Sequence, residues 1–371
     1  MKRVIVSGGG TGGHIFPALS IANALKRLEP DIEILFVGAE GKMEMEKVPE
    51  AGYRIEGLPV RGLQRRLTLQ NIKVLINLWT SLRKAKRIIR DFKPDAVVGV
   101  GGYASGPIGR VAEKAGVPLI LQEQNSYAGV TNKLLSKSAC RICVAYDGME
   151  RFFGKDKLVF TGNPVRKDLL DAKEKRAEGM AFYQLDPNRK TILVTGGSLG
   201  AGTLNKAMKR TIAMVARRED VQVLWQCGSY YYEDLKKELE GQLPSNICLL
   251  PFLKRMDLAY ACADIVVARA GAGTISELCL LEKAAILIPS PNVAEDHQTK
   301  NAMALVSKQA AIMLKDSEAE EKLSEMLSVL LRDSAKRQEL QNNIAQLAIR
   351  DSDEKIAREI LSVIEKVKNK R

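Results

Sequence analysis

Two short stretches set reactive side chains beside bare backbone. In the first, Gly8-Gly9-Gly10-Thr11-Gly12-Gly13 runs into His14. Imidazole titrates near neutral pH, so a histidine at the mouth of a glycine turn can take a proton from a substrate hydroxyl. The same position also suits helix capping or a phosphate contact. In the second, Arg269-Ala270-Gly271-Ala272-Gly273-Thr274-Ile275-Ser276-Glu277 crosses from a strand-like run into a helix-like one. There Ala272, Gly273 and Thr274 would present N–H groups to a diphosphate. Glu277, about one helical turn further on, could accept both hydroxyls of a ribose or serve the helix as a dipole partner.

Such turns bind anions only where a parallel strand feeds a helix, and the periodicity of the chain supplies that setting. Strand-like runs at Arg3–Ser7, Glu33–Val37, Ala96–Val100 and Pro118–Gln122 alternate with helix-like runs at Pro17–Leu28, Ile72–Phe92 and Pro107–Ala115. The second half repeats the style, with strands at Thr191–Thr195, Val221–Gln226, Ile265–Ala268 and Ala285–Pro289 and helices at Thr203–Val215 and Ile275–Leu281. Lys2–Gly13 and Lys190–Ala201 share one order, a basic residue, an apolar strand, a glycine turn and a helix. The pairs Ala96–Gly102 and Asp264–Gly273 echo it. The expected fold is α/β, with two doubly wound, Rossmann-like parallel-sheet domains. They cover residues 1–163 and 164–350, with the break at Gly162-Asn163-Pro164. A polar helix over 351–371 follows, with Ile356, Ile360 and Ile364 on one face.

Composition narrows the function. The 371 residues are 46% hydrophobic and 27% charged, ordinary for a globular protein. No apolar run approaches the ~20 residues of a membrane span, and the first residues lack a signal-peptide pattern, so a cytosolic chain is expected. Six cysteines and two histidines make a poor zinc set, and Cys140-Arg141-Ile142-Cys143 reads as strand. An NAD site wants an acid at the end of the second strand, and Glu40 overshoots it; neither glycine turn carries the lysine of a P-loop. The net charge of +13 is concentrated between Arg61 and Lys93, where ten basic residues face one acid. That patch suits an anionic partner. Nucleic acid is disfavoured, because only Trp79 and Phe92 are interleaved as stacking platforms.

Several motifs together resemble the MurG family of peptidoglycan N-acetylglucosaminyltransferases. They are Gly9-Gly10-Thr11-Gly12-Gly13-His14-Ile15-Phe16-Pro17, Gly101-Gly102-Tyr103-Ala104-Ser105-Gly106-Pro107, Glu123-Gln124-Asn125 and Ala128-Gly129-Val130-Thr131-Asn132. Gly162-Asn163-Pro164-Val165-Arg166, Gly196–Ala201, Arg269–Glu277 and Asp296-His297-Gln298 with Asn301-Ala302 continue the order. The resemblance implies a GT-B fold, two Rossmann-like domains facing a cleft. It implies UDP-N-acetylglucosamine in the C-terminal half, lipid I in the N-terminal half, and a last helix that rejoins the first domain. By the same match Thr11, Gly12, Gly13, Asn125, Arg166, Ser198, Leu253, Ala272, Gly273, Thr274, Glu277 and Gln298 bind the donor. Tyr103, Asn132, Asn205 and Arg269 match other positions tied to activity. The family commonly has histidine where Gln122 stands, which moves the role of base to His14, with Glu123 second.

The reaction so implied converts an α-linked UDP sugar to a β(1→4) product by one displacement. No cofactor and no metal are expected; the one DxD string, Asp351-Ser352-Asp353, reads as a helix N-cap. A diacylglycerol hexosyltransferase and a sugar-nucleotide epimerase are the competing readings. A polyprenyl acceptor stays in its bilayer, so peripheral binding at the cytoplasmic face of the cell membrane is expected. Ile72, Ile76, Trp79 and Leu82 fall on one helical face, bordered by Arg83, Lys84 and Arg87, a pattern suited to an anionic leaflet. The same stripe could instead pack on the sheet.

Overall fold

The computed structural model describes residues 1–60, 70–197 and 199–369, and of residues 70–75 and Ala294 the backbone alone. The chain divides into two compact units, Met1–Val165 with Arg350–Arg371, and Arg166–Ile349. The first unit runs β1 (Arg3–Ser7), α1 (Gly12–Leu28), β2 (Glu33–Ala39), α2 (Glu44–Glu50), β3 (Arg54–Leu58), α3 (Gln70–Phe92), β4 (Ala96–Gly99), α4 (Ser105–Lys114), β5 (Leu119–Glu123), α5 (Val130–Leu135), β6 (Arg141–Val144) and β7 (Leu158–Phe160). The second runs α6 (Arg176–Phe182), β8 (Lys190–Thr195), α7 (Gly202–Ala216), β9 (Val221–Gln226), α8 (Ser229–Glu238), β10 (Ile247–Leu250), α9 (Met256–Cys262), β11 (Ile265–Ala268), α10 (Ala272–Leu281), β12 (Ala284–Leu287), α11 (His297–Val306), β13 (Ile312–Met313), α12 (Ala319–Arg332) and α13 (Ser334–Ala345). A last helix, α14 (Ser352–Lys368), belongs to the first unit.

The strand orders are β3-β2-β1-β4-β5-β6-β7 and β10-β9-β8-β11-β12-β13. Each reverses direction once, between β1 and β4 and between β8 and β11. The register sets Ser7 beside Gly99 and Thr195 beside Ala268. In an open α/β sheet, the crevice at the carboxyl ends of the strands flanking such a reversal is where ligands bind. All four glycine turns noted in the sequence leave these four strands. Both faces of each sheet are covered, so the strands read as continuous apolar runs. Val4 and Val6 face one core of the first unit and Ile5 the other.

Helix α14 completes one of those cores with Ile356, Ile360, Val363 and Ile364 against Ile21 and Leu25 of α1. Each of these side chains, fully buried, contributes about 1.5–3 kcal/mol. Lys2 to Glu365 and Arg27 to Asp353 tie the helix at its border. The expected capping by the DxD string does not occur. Asp351 takes the N-cap position with φ 57° and makes no side-chain cap, while Asp353 pairs with Arg27 at 2.6 Å. A left-handed N-cap turns its carboxyl away from the first-turn N–H groups. Helix α1 starts at Gly12, five residues before the expected Pro17. Thr11 is extended, and its carbonyl receives the N–H groups of His14 and Ile15.

Candidate active site

At the first reversal point, His14 lies in the opening turn of α1. Its Nδ1 is 3.2 Å from Thr11 Oγ1. The far edge of the ring rests on the turn after β4, and that turn has to be glycine: Gly101 has φ +100°, and a Cβ there would fall 2.7 Å from His14 Cδ2. Thr11 and Gly13 are exposed, Gly12 half-buried, and Tyr103 stands 58% exposed on the same turn as Gly101.

Glu123 ends β5 with its carboxylate buried. Oε1 accepts from the Asn125 N–H at 3.1 Å and from its side chain at 3.3 Å. Oε2 accepts from the Gly129 N–H at 2.9 Å and from Asn132 Nδ2 at 2.8 Å. Burial pushes the carboxyl pKa up, and these four donors pull it down. A carboxylate offers about four acceptor sites, so Glu123 is turned to its own loop and not to a substrate proton. Asn125 and Asn132 belong to the same knot, and Asn132 Oδ1 is a buried atom with no hydrogen-bond partner among the described residues. Gln122 is fully buried; its amide donates to Asn163 at 3.0 Å, and Asn163 donates to the Gln124 carbonyl at 2.9 Å. His14 is thus the exposed-side base candidate of this unit.

In the second unit α10 begins at Ala272, behind an extended Gly271. Helix geometry leaves the N–H groups of Ala272, Gly273 and Thr274 pointing out of the first turn. Glu277 Oε2 accepts from the Tyr260 hydroxyl at 2.9 Å. Its Oε1 lies 3.6 Å from Arg166 Nε, with the side chain 18% exposed. Burial raises the Glu277 pKa and Arg166 lowers it. The arrangement is an oriented carboxylate beside a cation and an anion seat. Tyr260 is fully buried and was not singled out from the sequence; it lies on α9, in an apolar run that carries no local signal.

Other expected donor residues divide. Gln298 opens α11 and accepts the Ser290 N–H at 2.8 Å. Leu253 is buried just after β10. Ser198 lies outside the described residues. Asn205 and Arg269 are structural ties: Asn205 is buried, receiving the Trp225 indole N–H at 3.1 Å and donating to the Cys227 carbonyl at 3.0 Å. Arg269 donates to the Ile288 carbonyl at 3.0 Å and pairs with Asp316, which also receives Thr203. Asn205 spends its amide, and Arg269 its Nη1, on neighbouring elements.

Helix α3 packs through Ser81, Ala85, Ile88 and Ile89. Ile76 and Trp79 stand 57% and 55% exposed, and Leu78 joins them. Leu82 departs from the expected stripe, half-buried at the edge of the packing face. The Ile72 side chain and the basic residues Arg61, Arg65 and Arg66 lie outside what the structure describes. Arg83 stacks 3.5 Å over Trp79, Lys84 pairs with Glu40 at 3.1 Å, and Arg87 is 77% exposed. No helix among the described residues is long and apolar enough to cross a membrane.

Residues 4–144 match the glycosyltransferase family 28 N-terminal domain, and residues 191–356 match its C-terminal domain. A protein of Parabacteroides distasonis is 56% identical over 98% of this chain and 99% of its own length. The chain belongs to glycosyltransferase family 28. That relative is named UDP-N-acetylglucosamine–N-acetylmuramyl-(pentapeptide) pyrophosphoryl-undecaprenol N-acetylglucosamine transferase. A Flavobacterium psychrophilum protein of the same name is 51% identical over 99% of both chains. The crystal structure of Acinetobacter baumannii MurG is similar to this family 28 chain with a TM-score of 0.78 at 28% identity, over 98% of this chain and 100% of that one. The MurG resemblance carried by the motifs therefore holds over nearly the full length. A UDP-GlcNAc 2-epimerase of Neisseria meningitidis, 16% identical with a TM-score of 0.69, shares the fold alone.

Proposed function

We infer that the protein is an inverting glycosyltransferase of peptidoglycan synthesis. It moves N-acetylglucosamine from UDP-N-acetylglucosamine to the 4-hydroxyl of the muramoyl sugar of lipid I, giving β(1→4)-linked lipid II. The observation that carries this is the near-full-length identity with transferases of that name. The site chemistry supports it. The second unit takes the donor, its diphosphate at the N–H groups of Ala272–Thr274 and its ribose at Glu277. The first unit takes the acceptor, with His14 as general base. The acceptor oxygen attacks the anomeric carbon as the bond to UDP breaks, and the hydroxyl proton passes to imidazole. The charge on the leaving UDP is met by backbone N–H groups at a helix N-terminus and by Arg166. The deciding experiment is incubation with labelled UDP-N-acetylglucosamine and a lipid I analogue. A lipid-linked disaccharide is expected; conversion of the donor without acceptor would make the protein an epimerase instead.

Peripheral docking at the cytoplasmic face of the membrane completes the proposal. Exposed Ile76, Leu78 and Trp79 enter the interface while Arg83, Lys84 and Arg87 meet anionic headgroups, each adding about 1 kcal/mol. Flotation should require anionic vesicles and fade with salt. Changing Arg83, Lys84 and Arg87 together to Glu should abolish flotation and leave donor binding intact; a triple variant that floats as before would move the docking surface elsewhere.

A further inference from the structure

Glu44 is a completely buried carboxylate that opens α2 and has no part in the chemistry described so far. Oε1 accepts the Ala39 N–H at the end of β2, and Oε2 accepts the Gly10 N–H, each at 2.9 Å. One oxygen is thus anchored to the sheet and the other holds the glycine turn one residue ahead of Thr11, the N-cap of α1. The surroundings are cut to fit this side chain. A Cβ on Gly9 would fall 2.0 Å from Glu44 Oε1, and a Cβ on Gly38 2.5 Å from its Cγ. The opposite side of the turn is closed by Gly102, where a Cβ would meet the Gly9 carbonyl oxygen at 2.4 Å. Burying a carboxylate is costly unless its oxygens are hydrogen-bonded. Here both oxygens are spent on backbone whose position fixes the start of α1, and so the place of His14. We propose that Glu44 is a positioning residue for transfer: it clamps the Gly8–Gly13 turn to β2 and thereby holds His14 where the acceptor hydroxyl must be met. This rests on the reading of His14 as the base.

Glu44→Gln keeps the shape but turns one oxygen into an NH2 group that faces a backbone N–H. It should lower kcat by roughly 10- to 100-fold, the scale of a small misplacement of a catalytic group, with the affinity for UDP, whose phosphates and ribose belong to the second unit, unchanged. In a His14→Ala background the same change should have little further effect, because the two residues act in series. Gly38→Ala, which crowds the carboxylate without removing it, should show the same dependence on His14. Thermal midpoints measured alongside identify any variant that fails to fold. A Glu44→Gln variant with wild-type kcat, one that slows the His14→Ala enzyme by the same factor as wild type, or one that weakens UDP binding in step would each overturn the proposal. The failure of the base reading looks different: His14→Ala alone would then turn over normally, and the clamp, which works through His14, would fall with it. A slow His14→Ala enzyme with an additive Glu44→Gln effect removes the clamp alone.

Discussion

The two units share a strand order and a pair of glycine turns at the reversal point, yet hold the first turn of each pair with different chemistry. In the first unit a buried carboxylate holds the turn after β1, Glu44 gripping Gly10, while the neutral Ser105 hydroxyl donates to the Gly101 carbonyl in the turn after β4 at 2.8 Å. In the second, the turn after β8 is held by neutral side chains. Gln226 donates to the Gly197 carbonyl at 2.9 Å and accepts from Thr195 at 2.7 Å. The carboxylate near the turn after β11, Glu277, has Arg166 beside it. Negative charge under a glycine turn is compatible with presenting a base and a neutral sugar hydroxyl. It is a poor neighbour for a diphosphate. Topology therefore decides where a ligand sits, and the side chains beneath the turn decide what sign of ligand is welcome.

The contrast can be tested at both turns. The largest effect belongs to the base: His14→Ala should lower kcat by roughly two to four orders of magnitude, with donor affinity unchanged in a binding titration. Near-normal turnover would erase the division of labour between the units. Next comes the donor clamp. Glu277→Ala should weaken UDP-sugar binding by about 1.5–3 kcal/mol, and a uridine nucleotide lacking ribose hydroxyls should bind wild type and variant alike. If the variant still distinguishes the two nucleotides fully, Glu277 serves only its helix. Tyr260→Phe, which leaves Glu277 in place but unguided, should cost about 0.5–1.5 kcal/mol of donor affinity, read by the same titration; a loss as large as that of Glu277→Ala would assign Tyr260 a direct contact.

A last effect, read in stability and not in binding, concerns a half-buried amine. Lys283 of the second unit donates to the Ala263 carbonyl at 2.8 Å, and burial lowers its pKa from 10.5 to about 8. Between those values the unfolded chain binds a proton that the folded chain has shed, so folding stability rises with pH across that window. Lys283→Met should flatten the rise in denaturant titrations at pH 8 and above, and an unchanged slope would place the titrating group elsewhere.

Both glycine turns, the alternation of strand and helix and the repeat between the halves were legible because each is a local pattern: apolar runs of period two, then glycine, then period 3.6. Strands β3, β7 and β13 were not: β7 and β13, of three and two residues, carry too few positions for a period to register, and Glu56 and Gly57 interrupt the apolar pattern of β3. The start of α1 was misplaced because proline favours the first turn of a helix, whereas here Pro17 sits inside and an extended Thr11 sets the boundary. At the sites, His14 and Glu277 announced themselves by following glycines. Tyr260, Asp316 and Glu44 did not, because each reaches its partner from a separate element, and no spacing along the chain encodes that meeting. Asn205 and Arg269 drew attention by motif, and the hydrogen bonds of the Asn205 amide and of Arg269 Nη1 to the scaffold carry no signal in the sequence.

The discontinuity of the first unit bears on the order of events during synthesis. Its seven strands leave the ribosome first, but the groove on α1 that α14 fills stays open until the whole second unit has been made. At the usual rate of translation that interval is on the order of ten seconds or more, long compared with the folding time of a small domain. The second unit, an uninterrupted stretch from Arg166 to Ile349, can close as soon as it emerges. The half that begins first is therefore the half that finishes last, and in the interim Ile21 and Leu25 present an apolar seam that a chaperone must shield or a neighbouring chain's α14 can occupy.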